Sequence, residues 1–305
     1  MRYSNYQFQV PIEKQIRVIM DTDVKNEADD AFAVVHGLLS PKFEHVGVIA
    51  AHFGVRKHLD SMEQSYKEME LILDKMNISK ENFLCKGAEY PLLDSRTPVD
   101  SEGARLIIRE AMKEDSRPLY LAFMGPLTDI ASAYLLEPRI AGRLKLIWIG
   151  GGAYPNGGAE FNLGNDIAAA NVVFSSDIEV WQVPKNVYEM MPVSLAELEY
   201  RVLPYGDIGR YLFDQLIEHS NTEAALKSAF RTGETWVLGD SPSIGLMLYE
   251  HRFEFDWVPA PQISQDMQYI QINRNRPIRV YKGIDSRLIL EDMYCKLALY
   301  SKVEK

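Results

Sequence analysis

The feature that most constrains the fold is an alternation of strand-like and helix-like segments along the first two thirds of the chain. The strand candidates are apolar and rich in β-branched residues: "IRVIMD" (16–21), "HVGVIAA" (45–51), "PLYLAF" (118–123), "RLKLIWIGGG" (143–152) and "DIEVWQV" (177–183). Helical spacing marks about 29–40, 56–76, 101–113 with Ser101 as N-cap, and 125–136 with Pro126 in its first turn.

Strands that alternate with helices indicate βαβ units and a mainly parallel sheet. We therefore predict an α/β fold, a single Rossmann-like domain over residues 1–305, with a mainly parallel twisted sheet flanked by helices. The part after about residue 195 has more helical patterns, including 205–219 and 223–231.

Charge and cysteine content narrow the classes of partner and the compartment. The formal net charge is −10, with acidic residues spread along all 305 positions, which argues against nucleic acid and anionic membranes as partners. The N-terminal segment lacks the apolar core of a signal peptide, and no apolar run approaches the roughly 20 residues of a membrane span. Cys85 and Cys295 are the only cysteines, so we expect reduced thiols in a cytoplasmic protein.

An acidic junction, "DTDVKNEADD" (21–30), joins the first strand to the first helix. Carboxylates at such a junction repel one another, and desolvation makes the repulsion worse. One reading is that Asp29 or Asp30 is only a helix N-cap. Five acidic residues exceed what capping uses, and a hard divalent cation such as Ca²⁺ would neutralise them. The glycine and the distal glutamate of an EF-hand loop are missing.

Three strand-end loops are expected to line one crevice, because ligands of open α/β sheets collect at the carboxyl ends of the strands. These loops are 21–30, "MGPLTD" (124–129) and "GGGAYPNGGAEFN" (150–162).

Four sequence blocks in this order resemble the inosine–uridine nucleoside hydrolase family. They are "VIMDTDVKNEADDAFAV" (18–34), "GPLTDIASAYLLEPRI" (125–140), "WIGGGAYPNGGAEFNLGNDIAAANVVF" (148–174) and, more loosely, "VLGDSPSIGL" (237–246). The resemblance extends from about residue 15 to 255. It implies the nucleoside hydrolase fold and hydrolysis of a ribonucleoside, or a close analogue, to free base and ribose. It also implies a Ca²⁺ cofactor and a homo-oligomer, either a dimer or a tetramer.

The resemblance also implies roles for individual residues. Its metal ligands are Asp23, Asp30, Asp240 and the main-chain carbonyl of Met124, and Asp23 is also the base that activates metal-bound water. Its substrate-binding residues are Asp29 for a ribose hydroxyl, Asn156, Glu160 and Asn162 for the far side of the sugar, and Asp240. Carboxylates suit these roles because the glycosidic bond breaks through an oxocarbenium-like state.

The chain departs from the family in the subsite for the leaving base. Gly239 replaces a histidine that serves the leaving base, and "AAHFG" (50–54) replaces an asparagine, offering His52, which could equally be a packed core residue. The loop between Asp23 and Asp29 is two residues longer than in the family. Arg231 and Glu234 are candidate replacement donors.

Trp236 could stack on a base, although an aromatic residue at such spacing is more often part of the core.

Three interpretations of function stay open, and the nucleoside hydrolase is the leading one. The alternative to the hydrolase is a calcium- and ribose-binding protein of the same fold with little or no activity. A phosphatase or haloacid-dehalogenase-like transferase fits less well, because its downstream lysine and acidic motifs do not appear in order.

Overall fold

The computed structural model describes residues 2–54, 58–227, 233–249, 253–272 and 275–302. Its strands are β1 (Ile16–Thr22), β2 (Phe43–Ala50), β3 (Leu84–Lys86), β4 (Leu119–Phe123), β5 (Leu144–Ile149), β6 (Glu179–Val183), β7 (Pro192–Ser194), β8 (Thr235–Val237), β9 (Phe255–Pro259), β10 (Gln262–Ile263), β11 (Tyr269–Ile270) and β12 (Pro277–Tyr281).

The α-helices fall mostly between the strands, as the alternation predicts. They are α1 (Asp30–Leu38), α2 (Ser61–Lys75), α3 (Glu102–Met112), α4 (Thr128–Leu136), α5 (Phe161–Asn165), α6 (Ile167–Ser175), α7 (Lys185–Tyr188), α8 (Leu195–Arg201), α9 (Gly206–Ser220), α10 (Glu223–Leu226), α11 (Ser241–Leu248) and α12 (Ser286–Tyr300). Two 3₁₀ helices span Ile12–Lys14 and Pro138–Arg143.

One sheet of eight strands, in the order β3-β2-β1-β4-β5-β6-β12-β9, forms the centre of the molecule. Neighbouring strands from β3 to β12 pair in parallel, and β9 alone pairs antiparallel, with β12 at one edge. The predicted mainly parallel α/β sheet is confirmed. Two small antiparallel pairs, β7-β8 and β10-β11, lie outside this sheet.

Helices cover both faces of the sheet, as the burial of its strands requires. All seven residues of β1 are buried, and consecutive side chains of a strand point to opposite faces. Met20 accordingly belongs to an apolar cluster with Phe32 of α1, whereas the adjacent Ile19 belongs to a second cluster with Phe174 of α6. The carboxyl ends of the parallel strands are therefore the place where polar groups can gather.

The start of α4 differs from the prediction. Pro126 does not lie in the first turn, because the helix begins at Thr128 with Leu127 as its N-cap. The segment before it is held at the strand end instead: the Met124 amide donates to the Asp21 carbonyl at 2.9 Å, and the Gly125 carbonyl accepts from the Trp148 indole at 3.1 Å. By contrast, Ser101 caps α3 as predicted, accepting from the Ala104 amide.

The region after residue 195 is largely helical, as predicted, but it also returns to the sheet. Strand β12 pairs in parallel with β6, and β9 then closes the edge. The sequence interpretation missed both strands. Of the predicted helix 223–231, Glu223–Leu226 is helical, and residues 228–231 lie outside the described part. No helix among the described residues combines the length and apolar character that crossing a membrane requires.

Candidate active site

A cavity lies at the carboxyl ends of β1, β4 and β5, where the sequence predicts that three loops meet. The described residues that line it are Asp23, Asn26, Glu27, Asp29, Asp30, Met124, Ile149, Glu160, Phe161, Asn162, Tyr188, Val237, Gly239 and Asp240. The convergence of the three strand-end loops is therefore observed. Tyr188 at the end of α7, Val237 of β8 and the segment that leads into α11 complete the wall.

Three buried carboxyl groups cluster in this cavity. Side-chain oxygens of Asp29, Asp30 and Asp240 all lie within 4.8 Å of one another. Asp29 and Asp240 are the N-cap residues of α1 and α11, yet neither side chain makes a capping hydrogen bond to its own helix. Capping alone therefore does not account for these acids. The N-termini of the two helices bring their carboxyl groups to one place, where the helix dipoles favour negative charge.

The pKa values of these groups show how poorly their charge is compensated. Burial raises the pKa of Asp29 to about 6, although backbone N–H groups of Gly239 and Asp240 oppose the rise. Burial, followed by the charge of Asp29, raises the pKa of Asp30 to about 8, against a 2.5 Å hydrogen bond from the Thr22 hydroxyl. Burial and the charges of Asp29, Asp30 and Asp23 raise the pKa of Asp240 well above its usual range.

The donor set fits a hard divalent cation. Clustered carboxylates disfavour their own ionisation, and a cation at the centre of the cluster would reverse that effect. The described lining residues offer carboxylate, amide and carbonyl oxygens and no cysteine or histidine, which suits Ca²⁺ or Mg²⁺ rather than zinc. The predicted ligands Asp23, Asp30, Met124 and Asp240 all line the cavity. Their metal-binding roles stay predictions.

Glu160 is held by hydrogen bonds on every side of its carboxylate. It is the N-cap of α5: Oε2 accepts from the amides of Gly151 and Leu163, both at 2.8 Å, and Oε1 accepts from the Asn162 amide at 3.2 Å. The Tyr188 hydroxyl donates to Oε1 at 3.1 Å. These contacts fix the carboxylate at the cavity wall.

Asn162 links the ends of two sheet strands. Its side-chain amide donates to the carbonyl of Met124 at 2.8 Å and to that of Ile149 at 2.9 Å. The side-chain oxygen thereby stays available as an acceptor, and the Met124 carbonyl keeps a second lone pair. Asn162 is thus suited both to orient that carbonyl and to accept from a ligand hydroxyl.

Asn156 is the one predicted site residue that the structure does not bring to the cavity lining. It is exposed on the loop after β5, and its carbonyl accepts from the Tyr269 amide at 2.9 Å. Its assignment to the sugar stays a prediction.

The residues considered as replacement donors lie away from the cavity or outside the described part. His52 is buried: its Nε2 lies 2.8 Å from the Thr128 hydroxyl, and its Nδ1 accepts from the Gly54 amide at 3.2 Å. Burial lowers its pKa to about 4, so it is a neutral packed histidine. Glu234 is exposed and does not line the cavity, and Arg231 lies outside the described residues.

Trp236 belongs to the core, as the more conservative interpretation has it. Only 2% of its surface is exposed, and its ring makes an edge contact with His219, with 5.6 Å between centroids. It is not among the lining residues.

The structure also adds lining residues to which the sequence interpretation gave no role, namely Asn26, Ile149, Phe161, Tyr188 and Val237. Of the five acids of the junction, Glu27 lines the cavity with Asp23, Asp29 and Asp30, and Asp21 does not. The sequence did hold a signal for Tyr188, because the segment after the predicted strand 177–183 begins at the carboxyl end of that strand, as the three other loops do at theirs. Val237 has no comparable signal, since it comes from the small β7-β8 pair.

Comparisons with known proteins agree with this geometry. The family described as inosine-uridine preferring nucleoside hydrolase matches residues 18–256, more than half of the chain. The pyrimidine-specific ribonucleoside hydrolase RihA of Salmonella paratyphi A is 25% identical over an alignment of 229 residues that covers 68% of this chain and 73% of that protein. The inosine-uridine preferring nucleoside hydrolase of Crithidia fasciculata is 40% identical over 99 residues, 31% of this chain and 30% of that protein.

Solved structures show the same fold. The purine-preferring ribonucleoside hydrolase from Gardnerella vaginalis has a TM-score of 0.75 at 19% identity, covering 94% of this chain and 99% of that one. The family match, the relatives and the fold all agree. The chain therefore belongs to the inosine–uridine preferring nucleoside hydrolase family and is a hydrolase acting on N-glycosyl compounds.

Proposed function

We propose that this enzyme hydrolyses the N-glycosidic bond of a ribonucleoside, or of a close analogue, with Ca²⁺ as cofactor, giving free base and ribose. The observation that carries the proposal is the cluster of Asp29, Asp30 and Asp240, whose carboxyl oxygens lie within 4.8 Å of one another in a buried cavity. Glu160 and Asn162 stand on the wall of the same cavity as acceptors for sugar hydroxyls.

In this proposal Asp23, Asp30, Asp240 and the Met124 carbonyl hold the cation. A bound cation lowers the pKa of water and orients the hydroxyls of a sugar. Asp23 takes the proton of the attacking water, and Asp29 accepts from a ribose hydroxyl. The remaining negative charge of the cluster stabilises the positive charge that develops at the anomeric carbon as the bond to the base lengthens.

The base, the oligomeric state and the location belong to the same proposal. The Salmonella relative is pyrimidine-specific, whereas the Gardnerella structure is that of a purine-preferring enzyme, so both classes of base are candidates. We expect a homo-oligomer, a dimer or a tetramer, in the cytoplasm, with a role in nucleoside salvage.

The test is release of reducing sugar from a panel of ribonucleosides and from nitrophenyl riboside, with calcium and with chelator. Asp23→Asn should lower kcat/KM by about 10²–10⁴-fold, the usual contribution of a positioned base. Asp214→Asn, at an exposed position on α9, is the matched control and should keep parental activity.

The alternative function, a calcium- and ribose-binding protein, predicts a different result. The parent would then release sugar from no substrate, even from the aryl riboside whose leaving group departs unaided, while calorimetry would still detect ribose binding in calcium.

A further inference from the structure

The described lining of the cavity has a single side-chain hydroxyl. Among the described lining residues there is no histidine, lysine, arginine, serine or threonine, and Tyr188 alone carries a hydroxyl. Gly239, which takes the place of the family's histidine, lines the same cavity and contributes no side chain. Apart from the side-chain amides of Asn26 and Asn162, of which that of Asn162 donates to two carbonyls, Tyr188 is therefore the side chain that can donate to the base.

Tyr188 occupies the space beside Gly239. A Cβ atom built on Gly239 would lie 3.2 Å from Cδ2 of Tyr188 and 3.3 Å from a carboxyl oxygen of Asp29. Both distances are tighter than ordinary van der Waals contact, so a side chain at 239 would require the tyrosine ring and the Asp29 carboxyl group to shift by a few tenths of an ångström. The tyrosine ring thus packs directly against the position where a side chain at 239 would begin.

The hydroxyl of Tyr188 donates a hydrogen bond to Glu160, and a sugar hydroxyl can replace it there. A carboxylate offers about four acceptor positions, and those of Glu160 are filled by three backbone amides and Tyr188. The amides belong to α5 and to the loop after β5, so they are fixed. A ligand hydroxyl that binds Glu160 would therefore replace the tyrosine, whose O–H then turns to another acceptor in the cavity.

We propose that Tyr188 is the hydrogen-bond donor to the leaving base, held on Glu160 until a sugar hydroxyl takes its place. This inference rests on the proposed function. As the electron pair of the glycosidic bond moves onto the base, the phenol donates a hydrogen bond to the base and keeps its proton, and the released base anion then takes its proton from bulk water. Burial and the neighbouring Glu160 carboxylate raise the pKa of Tyr188, which keeps the phenol protonated.

The test is Tyr188→Phe, which keeps the ring beside Gly239 and removes the hydroxyl. Loss of one donor to a developing anion typically costs about 10²-fold, so we expect a loss of that order in kcat/KM on inosine and uridine. Nitrophenyl riboside needs no donor and should change by less than about threefold. Tyr269→Phe is the matched control: its buried hydroxyl accepts from Gln182 at 2.9 Å, outside the cavity lining, and its removal should spare both substrate types.

Three outcomes would overturn the inference. Equal losses on nucleosides and aryl riboside would place the hydroxyl in the sugar subsite, and no loss on either would leave it without a role in the reaction. If the parent cleaves neither substrate, the proposed function fails, and binding decides the inference separately. Tyr188→Phe should then weaken binding of a C-nucleoside such as pseudouridine, whose glycosidic bond resists hydrolysis, but not of ribose. An equal effect on both ligands would contradict it.

Discussion

Two buried aspartates outside the cavity lining, Asp129 and Asp21, differ in how far hydrogen bonds compensate their charge. Asp129 is as deeply buried as the acids of the cavity, but its carboxylate accepts from the Ser101 hydroxyl and from the Ala88 amide, and burial raises its pKa only to about 6, below the value of about 8 for Asp30. Asp21, at the end of β1, has no hydrogen-bond partner on either oxygen within the described residues, and its pKa is raised well above the usual range. The poor compensation of buried carboxyl charge thus extends from the cavity to Asp21 in β1.

His45 carries a prediction about acid stability. It is fully buried, its Nε2 lies 2.8 Å from the Gly37 carbonyl, and burial lowers its pKa from 6.5 to about 4. Between these values the unfolded chain binds a proton that the folded protein does not bind. The stability that comes from the neutral ring is therefore complete above pH 6.5 and is lost as pH falls through 4.

His45→Gln keeps an N–H donor for Gly37 and does not titrate. From pH 7.5 to 4.5 the free energy of unfolding should therefore fall less in the variant than in the parent, by on the order of 2 kcal/mol. Urea unfolding at the two pH values measures it. His58→Gln, at an exposed position, is the control. An identical pH dependence in parent and His45→Gln would contradict the account.

At the residue scale, the sequence could predict the acids of the cavity but not the partners of each side chain. Asp23, Asp29 and Asp30 lie in the segment that follows the end of β1, and Glu160 and Asn162 lie in the segment that follows the end of β5. The pairing of Tyr188 with Glu160 joins residues 28 positions apart, and the space beside Gly239 depends on how α7 packs. Neither contact leaves a local pattern in the sequence.

At the scale of elements, the helices were predictable in existence more than in their starting residues. Amphipathic spacing identified α2 and α3, and the Ser101 cap defined where α3 begins. The predicted start of α4 was wrong because proline at a helix start is only a preference. Two hydrogen bonds hold the preceding segment outside the helix: the Trp148 indole donates to the Gly125 carbonyl, and the Met124 amide donates to the Asp21 carbonyl.

The packing of α11 on α12 carries a second prediction. A Cβ added at Gly245 would lie 2.5 Å from Cδ1 and 2.6 Å from Cγ1 of Ile289. Alanine in a helix normally stabilises by about 1 kcal/mol relative to glycine, but overpacking of a core costs about 1–3 kcal/mol, so Gly245→Ala should be destabilising.

The comparison is best made by urea unfolding of four variants. Gly142→Ala, where nothing lies within 4 Å of the added atom, is the matched control and should be neutral or stabilising. Ile289→Ala removes the colliding atoms, so the double variant should be less destabilised than the sum of its single variants. Strict additivity would mean that the collision is not the cause.

At the scale of the whole molecule, the sequence predicted the class of the fold and the position of the site at the carboxyl ends of the parallel strands. Residue patterns alone could not place α11 against α1, the packing that brings Asp240 to Asp29 and Asp30 across more than 200 residues of chain; only the family resemblance grouped Asp240 with Asp30. Such contacts depend on the global topology, including the insertion of β12 beside β6, which no local periodicity reports.

Because the proposed ligands of the cation meet over this long range, we expect the stability of the whole molecule to depend on the cation. A ligand at 100 times its Kd stabilises the folded state by about 2.7 kcal/mol, which corresponds to several degrees in Tm for a protein of this size. We expect calcium to raise the Tm of chelator-stripped protein accordingly. Thermal unfolding followed by circular dichroism, with calcium, magnesium or chelator, measures it.

Asp30→Asn should show opposite effects in the two states. In stripped protein it puts a neutral amide in place of a carboxyl group whose pKa is raised to about 8 and which is therefore mostly protonated at neutral pH, so its Tm should not fall below that of the parent. In calcium it removes a ligand, so its Tm should fall below that of the parent and respond less to the ion. Asp256→Asn, exposed on the edge strand β9, should respond to calcium as the parent does. A parental Tm that no divalent ion moves would contradict the metal site, and a variant less stable than the parent in both states would show that Asp30 serves packing rather than metal binding.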